Sequence, residues 1–157
     1  MPETLGYDVV HFLHVTSLAL LVGGGFALGS AAAPALFRSL DRSEAGTTFG
    51  KVLERWDGVA IAAAVVLLGT TAVQSIAFET GEPLLARWIA VALVLVATLY
   101  SSAWANPIAR ALRRSRPDFD ELAADTAERR EFARYHRRSA RAMTLAILAG
   151  LVALWLS

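Results

Sequence analysis

The sequence predicts an all-α fold: a four-helix transmembrane bundle with a long cytoplasmic helical extension before the last span. Three observations support this prediction. The chain contains four long apolar stretches. Its residues are 55% hydrophobic and 18% charged, whereas soluble domains carry about a quarter charged residues. Lys and Arg are concentrated in the two segments that follow the first and third stretches.

The apolar stretches have the length of membrane spans, since a helix crosses a bilayer with about 20 apolar residues. The predicted spans lie at approximately 9–36, 58–78, 84–105 and 142–157, and they form a single integral membrane domain covering 1–157. The last span is short. We therefore expect Arg141 to snorkel and Trp155 to lie at the opposite interface.

The distribution of basic residues predicts the topology. Of the 15 Lys and Arg residues, only Arg87 lies outside segments 38–56 and 106–141, which are therefore predicted to be cytoplasmic loops. Residues 1–8 contain neither Lys nor Arg, so a cleaved signal peptide is not expected. The pattern predicts a multi-pass protein of a bacterial-type inner (cytoplasmic) membrane, with both termini outside and the lipid bilayer as its main partner.

The first helix is predicted to begin near Thr4. Gly25 and Gly29 form a small-xxx-small pair, which predicts close approach of another helix. Pro34 is expected to kink or end the helix. Residues 41–56 have helical apolar spacing, so this segment is predicted to lie along the inner interface or to run straight into the second span.

Short connections complete the predicted bundle. Segment 79–83 is rich in turn residues and predicts an outer turn that makes the second and third spans antiparallel. Asn106 and Pro107 predict a kink or break after the third span. Pro117 and Asp118 are expected to open a new charged helix that continues into the fourth span as one rod.

Asp8, His11 and His14 are the main candidates for a functional site. Residues three apart on a helix share a face, so the two imidazoles are predicted to point in similar directions, with Asp8 one turn above His11. Ionisable groups are costly at membrane depth and usually face a partner or a cavity. Copper or zinc could use both histidines with Asp8 or water. The alternative is that the histidines form hydrogen bonds to neighbouring helices.

A haem b group is the second cofactor that these histidines could bind. Two histidines on one helix face cannot occupy opposite axial positions of one iron. The third histidine, His136, lies in a segment predicted to be on the other side of the membrane. One chain would therefore supply a single axial histidine, unless two chains share the group.

Other side chains narrow the functional classes. Arg87 is expected to pair with Glu79, Glu82 or Asp8, or to bind an anion. The chain has no cysteine, which excludes disulfides and thiol chemistry. It has no residues arranged like a Ser-His-Asp triad or a phosphate-binding loop. The net charge of +1 gives no indication of a nucleic-acid partner.

Two segments resemble known families. The spacing from His14 to Gly23-Gly24 is similar to the first helix of CopD-like copper-resistance membrane proteins and, in outline, of HemJ-type protoporphyrinogen oxidases, although Leu21 stands where those families place Trp. Segment 33–38 (APALFR), followed by Glu44-Ala45-Gly46, resembles small four-span proteins of unknown function related to the human transmembrane protein linked with cisplatin resistance. This last resemblance covers approximately 9–105 and implies an uncharacterised four-span family. The first two imply a copper or haem role.

Two classes of function remain open at this point. The first is a non-catalytic accessory or structural subunit of a membrane complex, whose partners would be other membrane proteins or a second copy of the chain. The second is a small metal- or haem-handling protein that uses His11 and His14. We favour the first class because one chain supplies few ligands for a metal or haem site.

Overall fold

The computed structural model describes residues 2–78 and 84–157, and among these residues the fold is built from helices without strands. Four helices are long and apolar enough to cross a membrane. We label them in chain order: α1 covers 2–39, α2 covers Arg42–Ala77, α3 covers Leu84–Arg114 and α4 covers Ala127–Trp155. The predicted fold class is therefore confirmed.

Helices α1 and α3 are interrupted by wider, π-helical turns. These turns lie at Leu20–Gly24 and Leu28–Ala32 in α1, and at Tyr100–Ala105 in α3. Pro34 and Pro107 have no N–H to donate to the carbonyls of Ser30 and Ala103. Each of those carbonyls falls within a π-helical turn, which changes the backbone hydrogen-bonding pattern where the proline interrupts it. Both prolines are thus accommodated within continuous helices.

Helices α2 and α4 are uninterrupted. The amphipathic segment 41–56 runs straight into the second span, one of the two outcomes that its sequence allowed. The last helix is also a single rod, as expected, but it begins at Ala127 rather than at Asp118. Thr126 has extended backbone angles immediately before it. Asp118 is instead paired with Arg116, and only a short 3-10 turn, Phe119–Glu121, forms in this linker.

The core consists mostly of small and branched apolar side chains. Its buried members come from all four helices: Leu18, Leu21, Ala60, Ala63, Leu67, Ala90, Val91, Val94, Ala149 and Ala153. Helix α3 packs along α4, and α1 packs along α2. The alanines allow the backbones to approach closely. Large apolar side chains such as Phe26, Val65 and Val96 lie on the outside, where a bilayer would cover them.

Three glycines of α1 differ in what surrounds them. The indole ring of Trp56 on α2 lies so close to Gly24 that an added Cβ would collide with it. A Cβ on Gly25 would be 3.3 Å from Ile147 on α4, but one on Gly29 would meet nothing within 4 Å. The predicted close approach therefore occurs at Gly25 and not at Gly29. The two π-helical turns in this part of α1 change the rotation between successive residues, so the four-residue spacing does not keep both glycines against one neighbour.

The bundle has two chemically different ends. We refer to the end that contains His14 and Ser157 as the histidine end. The opposite end, which contains Asp57, Arg110 and the linker between α3 and α4, is the arginine end. Connection 79–83 lies outside the described residues, so the predicted outer turn remains a prediction.

Candidate functional site

His14 lies at the histidine end and is fully buried. Its Nδ1 atom is 3.2 Å from the Thr70 hydroxyl and 3.5 Å from the Thr71 hydroxyl, both on α2. Its Nε2 atom is 3.1 Å from the hydroxyl of Ser157, just beyond α4. One imidazole therefore connects three parts of the bundle that are distant in sequence.

The hydroxyl groups on both sides of the ring also bond to the backbone. Ser157 donates to the carbonyl of Ala153 over 2.6 Å, and Thr70 donates to the carbonyl of Val66 over 2.9 Å. Either hydroxyl oxygen can accept from a ring N–H, and the other ring nitrogen then accepts from a hydroxyl that rotates toward it. A metal ion at Nδ1 would have to displace the Thr70 hydroxyl.

The other two predicted site residues have different surroundings. His11 is partly exposed and stacks on Tyr7, with ring centroids 5.6 Å apart. Tyr7 in turn meets Phe78 edge-on at 5.4 Å. Asp8 is exposed. Within 2–78 and 84–157, no three His, Asp or Glu side chains are grouped to hold a metal ion. The metal site at Asp8, His11 and His14 therefore stays a prediction.

Arg87 is buried near the start of α3, with 4% of its surface exposed. Two of its predicted partners, Glu79 and Glu82, lie outside the described residues. Gln74 is also buried at this end, and Trp88 donates a hydrogen bond to the Ser75 hydroxyl over 3.0 Å. Polar side chains therefore connect α2 and α3 beside the histidine end as well.

A second set of buried polar groups lies at the arginine end. Asn106 donates from Nδ2 to Asp57 Oδ1 over 2.8 Å, and Arg110 pairs with the other oxygen of the same carboxylate. Ser139 donates to Asn106 Oδ1 and lies 2.8 Å from the Ser101 hydroxyl. This polar chain connects α2, α3 and α4. Asp57 is 4% exposed and Asn106 is 7% exposed, so these bonds are protected from water.

The linker between α3 and α4 folds over the arginine end. Arg113 binds Asp120 at 2.6 Å and the carbonyl of Ser43 at 2.9 Å. Arg129 is 3.5 Å from Asp120 and lies over the ring of buried Phe119. These contacts hold the linker between α2 and α4 and leave a cavity of about 220 Å³ beside it.

The linker also contains a local ion pair outside the predicted spans. The Arg116 guanidinium donates two hydrogen bonds to the Asp118 carboxylate, at 3.0 and 2.7 Å. This bonding lowers the pKa of Asp118 below its usual value and raises that of Arg116. Both side chains are exposed, so the pair shapes the linker surface and contributes little to stability.

Sequence reasoning missed the polar chain at the arginine end. From the sequence, Asn106 is predicted only to mark a kink or break after the third span, and no partner is predicted for Asp57, Ser101 or Ser139. A usable signal was present: an acid and an amide in two apolar helices that run antiparallel, both near the same predicted interface. Which side chains pair depends on how each helix is rotated about its axis.

Comparison with known proteins gives one match. Residues 16–118 match the family model described as Domain of unknown function (DUF4149). No curated protein and no solved structure matches the chain. The matched region includes Asp57, Asn106 and Arg110 but ends before Ser139 and begins after His14. Because the match covers well over half of the chain, this protein belongs to the uncharacterised DUF4149 family.

Proposed function

We propose that this protein is a non-catalytic membrane component, an accessory or structural subunit that packs against another membrane protein or a second copy of itself. The observation that carries the proposal is the use of its buried polar groups. At the histidine end His14 binds Thr70 and Ser157, and at the arginine end Asn106 binds Asp57. These side chains connect helices of the same chain, which is what a rigid scaffold requires.

The outer surface gives further support. Several large apolar side chains are more than half exposed on it: Phe12, Phe26, Val65, Val96 and Trp104. Lipid tails can cover such a surface, and so can the apolar helices of a neighbouring subunit. A subunit interface would occupy one face of the bundle and leave the others to lipid.

Site-specific photo-cross-linking in intact cells tests the subunit role. A photoreactive amino acid is placed singly at Phe12, Phe26, Val65, Val96 and Trp104. We expect one or two neighbouring positions to give a discrete protein adduct, and the remaining positions to give none. Co-expression of a copy carrying a longer tag distinguishes a self-adduct by its shifted mass. Absence of a protein adduct at all five positions would overturn the proposal.

The orientation belongs to the same proposal. We infer that the arginine end faces the cytoplasm of a bacterial-type cell and that both termini lie outside. The support is the basic charge: in the structure Arg42, Arg113 and Arg129 gather around one end of the bundle, and such residues resist translocation.

A second candidate function is the handling of copper or haem b by His14, with His11 and Asp8 as further ligands. The observation that favours it is the environment of His14, a buried imidazole surrounded by the hydroxyl oxygens of Thr70 and Ser157. Imidazole suits copper and iron, and a metal bound at either ring nitrogen would displace the hydroxyl that faces it. The measurement is metal content and an optical spectrum of the purified protein. Loss of stoichiometric copper or of a Soret band on His14→Ala would support this function, and their absence from the wild-type protein would exclude it.

We also propose that the family includes the human transmembrane protein linked with cisplatin resistance. The segments that carry this resemblance, 33–38 and 44–46, both lie inside the matched region 16–118. A match of the same family model to the human protein would support the relation. The similarity to CopD-like and HemJ-type proteins is proposed for the first helix only.

A further inference from the structure

The cavity at the arginine end has walls of two kinds. Its apolar wall is formed by Phe37, Phe49 and Phe132, from α1, α2 and α4. Its polar wall carries four guanidinium groups, from Arg42, Arg110, Arg113 and Arg129. The combination is typical of a site for an anion that carries an apolar group. The guanidinium groups bind the charged part of such a ligand, and the aromatic wall contacts its hydrocarbon part.

The charges in this cavity are not balanced by the protein. Four guanidinium groups face two carboxylates: Asp57, which pairs with Arg110, and Asp120, which Arg113 and Arg129 share. Arg42 has no ion pair among the described residues. Among the residues that the structure describes, these four arginines therefore have only two carboxylates within ion-pair distance.

The imbalance matters because three of the four arginines are largely withdrawn from water, whereas Arg42 is exposed. The side chains of Arg110, Arg113 and Arg129 are only 17, 20 and 16% exposed. A charge that has lost part of its hydration is strongly stabilised by a counterion in its place. On an ordinary solvated basic surface these three side chains would extend into solvent, but here they line a cavity.

A second cavity of about 220 Å³ adjoins the first and enlarges the basic region. It shares Arg110, Arg113 and Asp120 with the first cavity and adds Lys51 and Arg114 to the lining. Gly46 borders both cavities, and the guanidinium of Arg113 lies against its backbone where any side chain would collide with it. The absence of a side chain at Gly46 thus allows Arg113 to sit between the two cavities.

From these observations we propose that the arginine-end cavity binds the phosphate of an anionic amphiphile, and that the amphiphile is an anionic phospholipid. Guanidinium groups bind phosphate through paired hydrogen bonds, and basic pockets between spanning helices hold anionic headgroups. Pockets that enclose a whole drug-sized ligand measure about 300–1,000 Å³. A cavity of about 220 Å³ accommodates a headgroup and leaves the acyl chains outside, beside the half-exposed Phe37.

The test compares Arg42→Gln with Arg138→Gln. Arg42 lines the cavity and has no described partner, so its loss should leave the fold intact. Arg138 is exposed at the same end of α4 and lines none of the cavities described, so its replacement removes the same charge outside the site. Each protein is reconstituted in nanodiscs of phosphatidylcholine containing a small fraction of phosphatidylglycerol. Lipid retained after mild detergent release is counted by native mass spectrometry.

We expect the wild-type protein and Arg138→Gln to retain phosphatidylglycerol selectively, and Arg42→Gln to bind it about tenfold more weakly, the loss of one charge-assisted hydrogen bond. Arg129→Gln should weaken retention similarly. Melting temperatures measured in pure phosphatidylcholine verify that every variant is folded. Equal retention by Arg42→Gln and wild type would overturn the proposal, as would an equal loss in Arg138→Gln, because that result reports only the general positive charge of this end.

A competition arm identifies the source of the phosphate. Inorganic phosphate and glycerol phosphate are added at millimolar concentration to the phosphatidylglycerol nanodiscs. Retention of the lipid in their presence supports a membrane ligand. Complete displacement by glycerol phosphate, together with no preference for phosphatidylglycerol over phosphatidylcholine, would overturn the lipid assignment and leave a site for a soluble phosphate ester. None of these outcomes depends on whether the protein is an accessory subunit.

Discussion

Asn106 on α3 donates a hydrogen bond to the carboxylate of Asp57 on α2 over 2.8 Å, and both side chains are buried. The second oxygen of the same carboxylate pairs with Arg110. Asp57 thus fixes two side chains that lie one helical turn apart on α3. Where the bilayer excludes water, no solvent replaces these bonds if the carboxylate is removed.

Replacement of Asp57 by Ala should destabilise the protein by about 3–5 kcal/mol, because Arg110 and Asn106 lose their shared partner in a buried setting. The measurement is the thermal unfolding midpoint of the purified protein in detergent. Glu54→Ala is the control, since Glu54 forms a solvent-exposed ion pair with Arg114 on the same two helices and should contribute far less to stability. Equal shifts for the two variants would show that the buried carboxylate contributes no more than the exposed one.

Replacement of Gly24 by Ala should also destabilise the bundle, by about 1–3 kcal/mol if membrane packing behaves like a soluble core. The new methyl group would overlap with the indole of Trp56, so either the indole or the packing of α1 against α2 would have to shift. Gly23→Ala is the matched control, because a Cβ there meets nothing within 4 Å. A melting temperature for Gly24→Ala that equals that of Gly23→Ala would contradict the close contact between the two helices.

The histidine hypothesis makes a prediction about metal binding. If copper binds at this site, His14→Ala should reduce its affinity more than His11→Ala, because His14 is buried and His11 stacks on Tyr7 at the edge of the bundle. His136→Ala should have no effect, since that residue lies at the arginine end. Neutral imidazole is the ligand, so bound metal should be released when the solution is acidified. Isothermal titration at several pH values provides the affinities, and an unchanged affinity in His14→Ala would remove that residue from the site.

Reporter fusions test the proposed orientation. A periplasmic reporter fused after Ser157 should be active, and a cytoplasmic reporter inserted near Asp125, in the linker between α3 and α4, should be active as well. The physical reason is the resistance of the basic segments to translocation. The reverse activities would mean that the arginine end lies outside the cell.

Sequence reasoning predicts the four spans well because their signal is strong: long apolar segments separated by clusters of arginine. It predicts helix rotation poorly. In a soluble helix, apolar residues mark the buried face, but in α2 the lipid-facing Val65 and the core residue Leu67 are both apolar. Periodicity therefore could not show that Asp57 and Asn106 face each other.

Two further differences have local causes. The expected start of the last helix at Asp118 was wrong: Arg116 and Asp118 pair within the linker, and the helix begins at Ala127, directly after the extended residue Thr126. The candidate histidine site was predicted from spacing on one helix, whereas the partners of His14 come from residues 56 and 143 positions further along the chain. A pattern within one helix carries no information about such partners.

Helix α2 is attached at two depths, through Asp57 near the arginine end and through Thr70 near the histidine end. These residues are 13 positions apart, which corresponds to about 20 Å along a helix at 1.5 Å per residue. With a single attachment, α2 could still rotate around that point, because the apolar contacts along the rest of the helix can exchange for one another inside a bilayer. Two attachments to different helices, one to α3 and one to α1, prevent α2 from rotating and from sliding along its axis. The two polar attachments therefore fix the register of α2 against its neighbours. The alanine-rich packing between them brings the helices close together but does not have to determine that register.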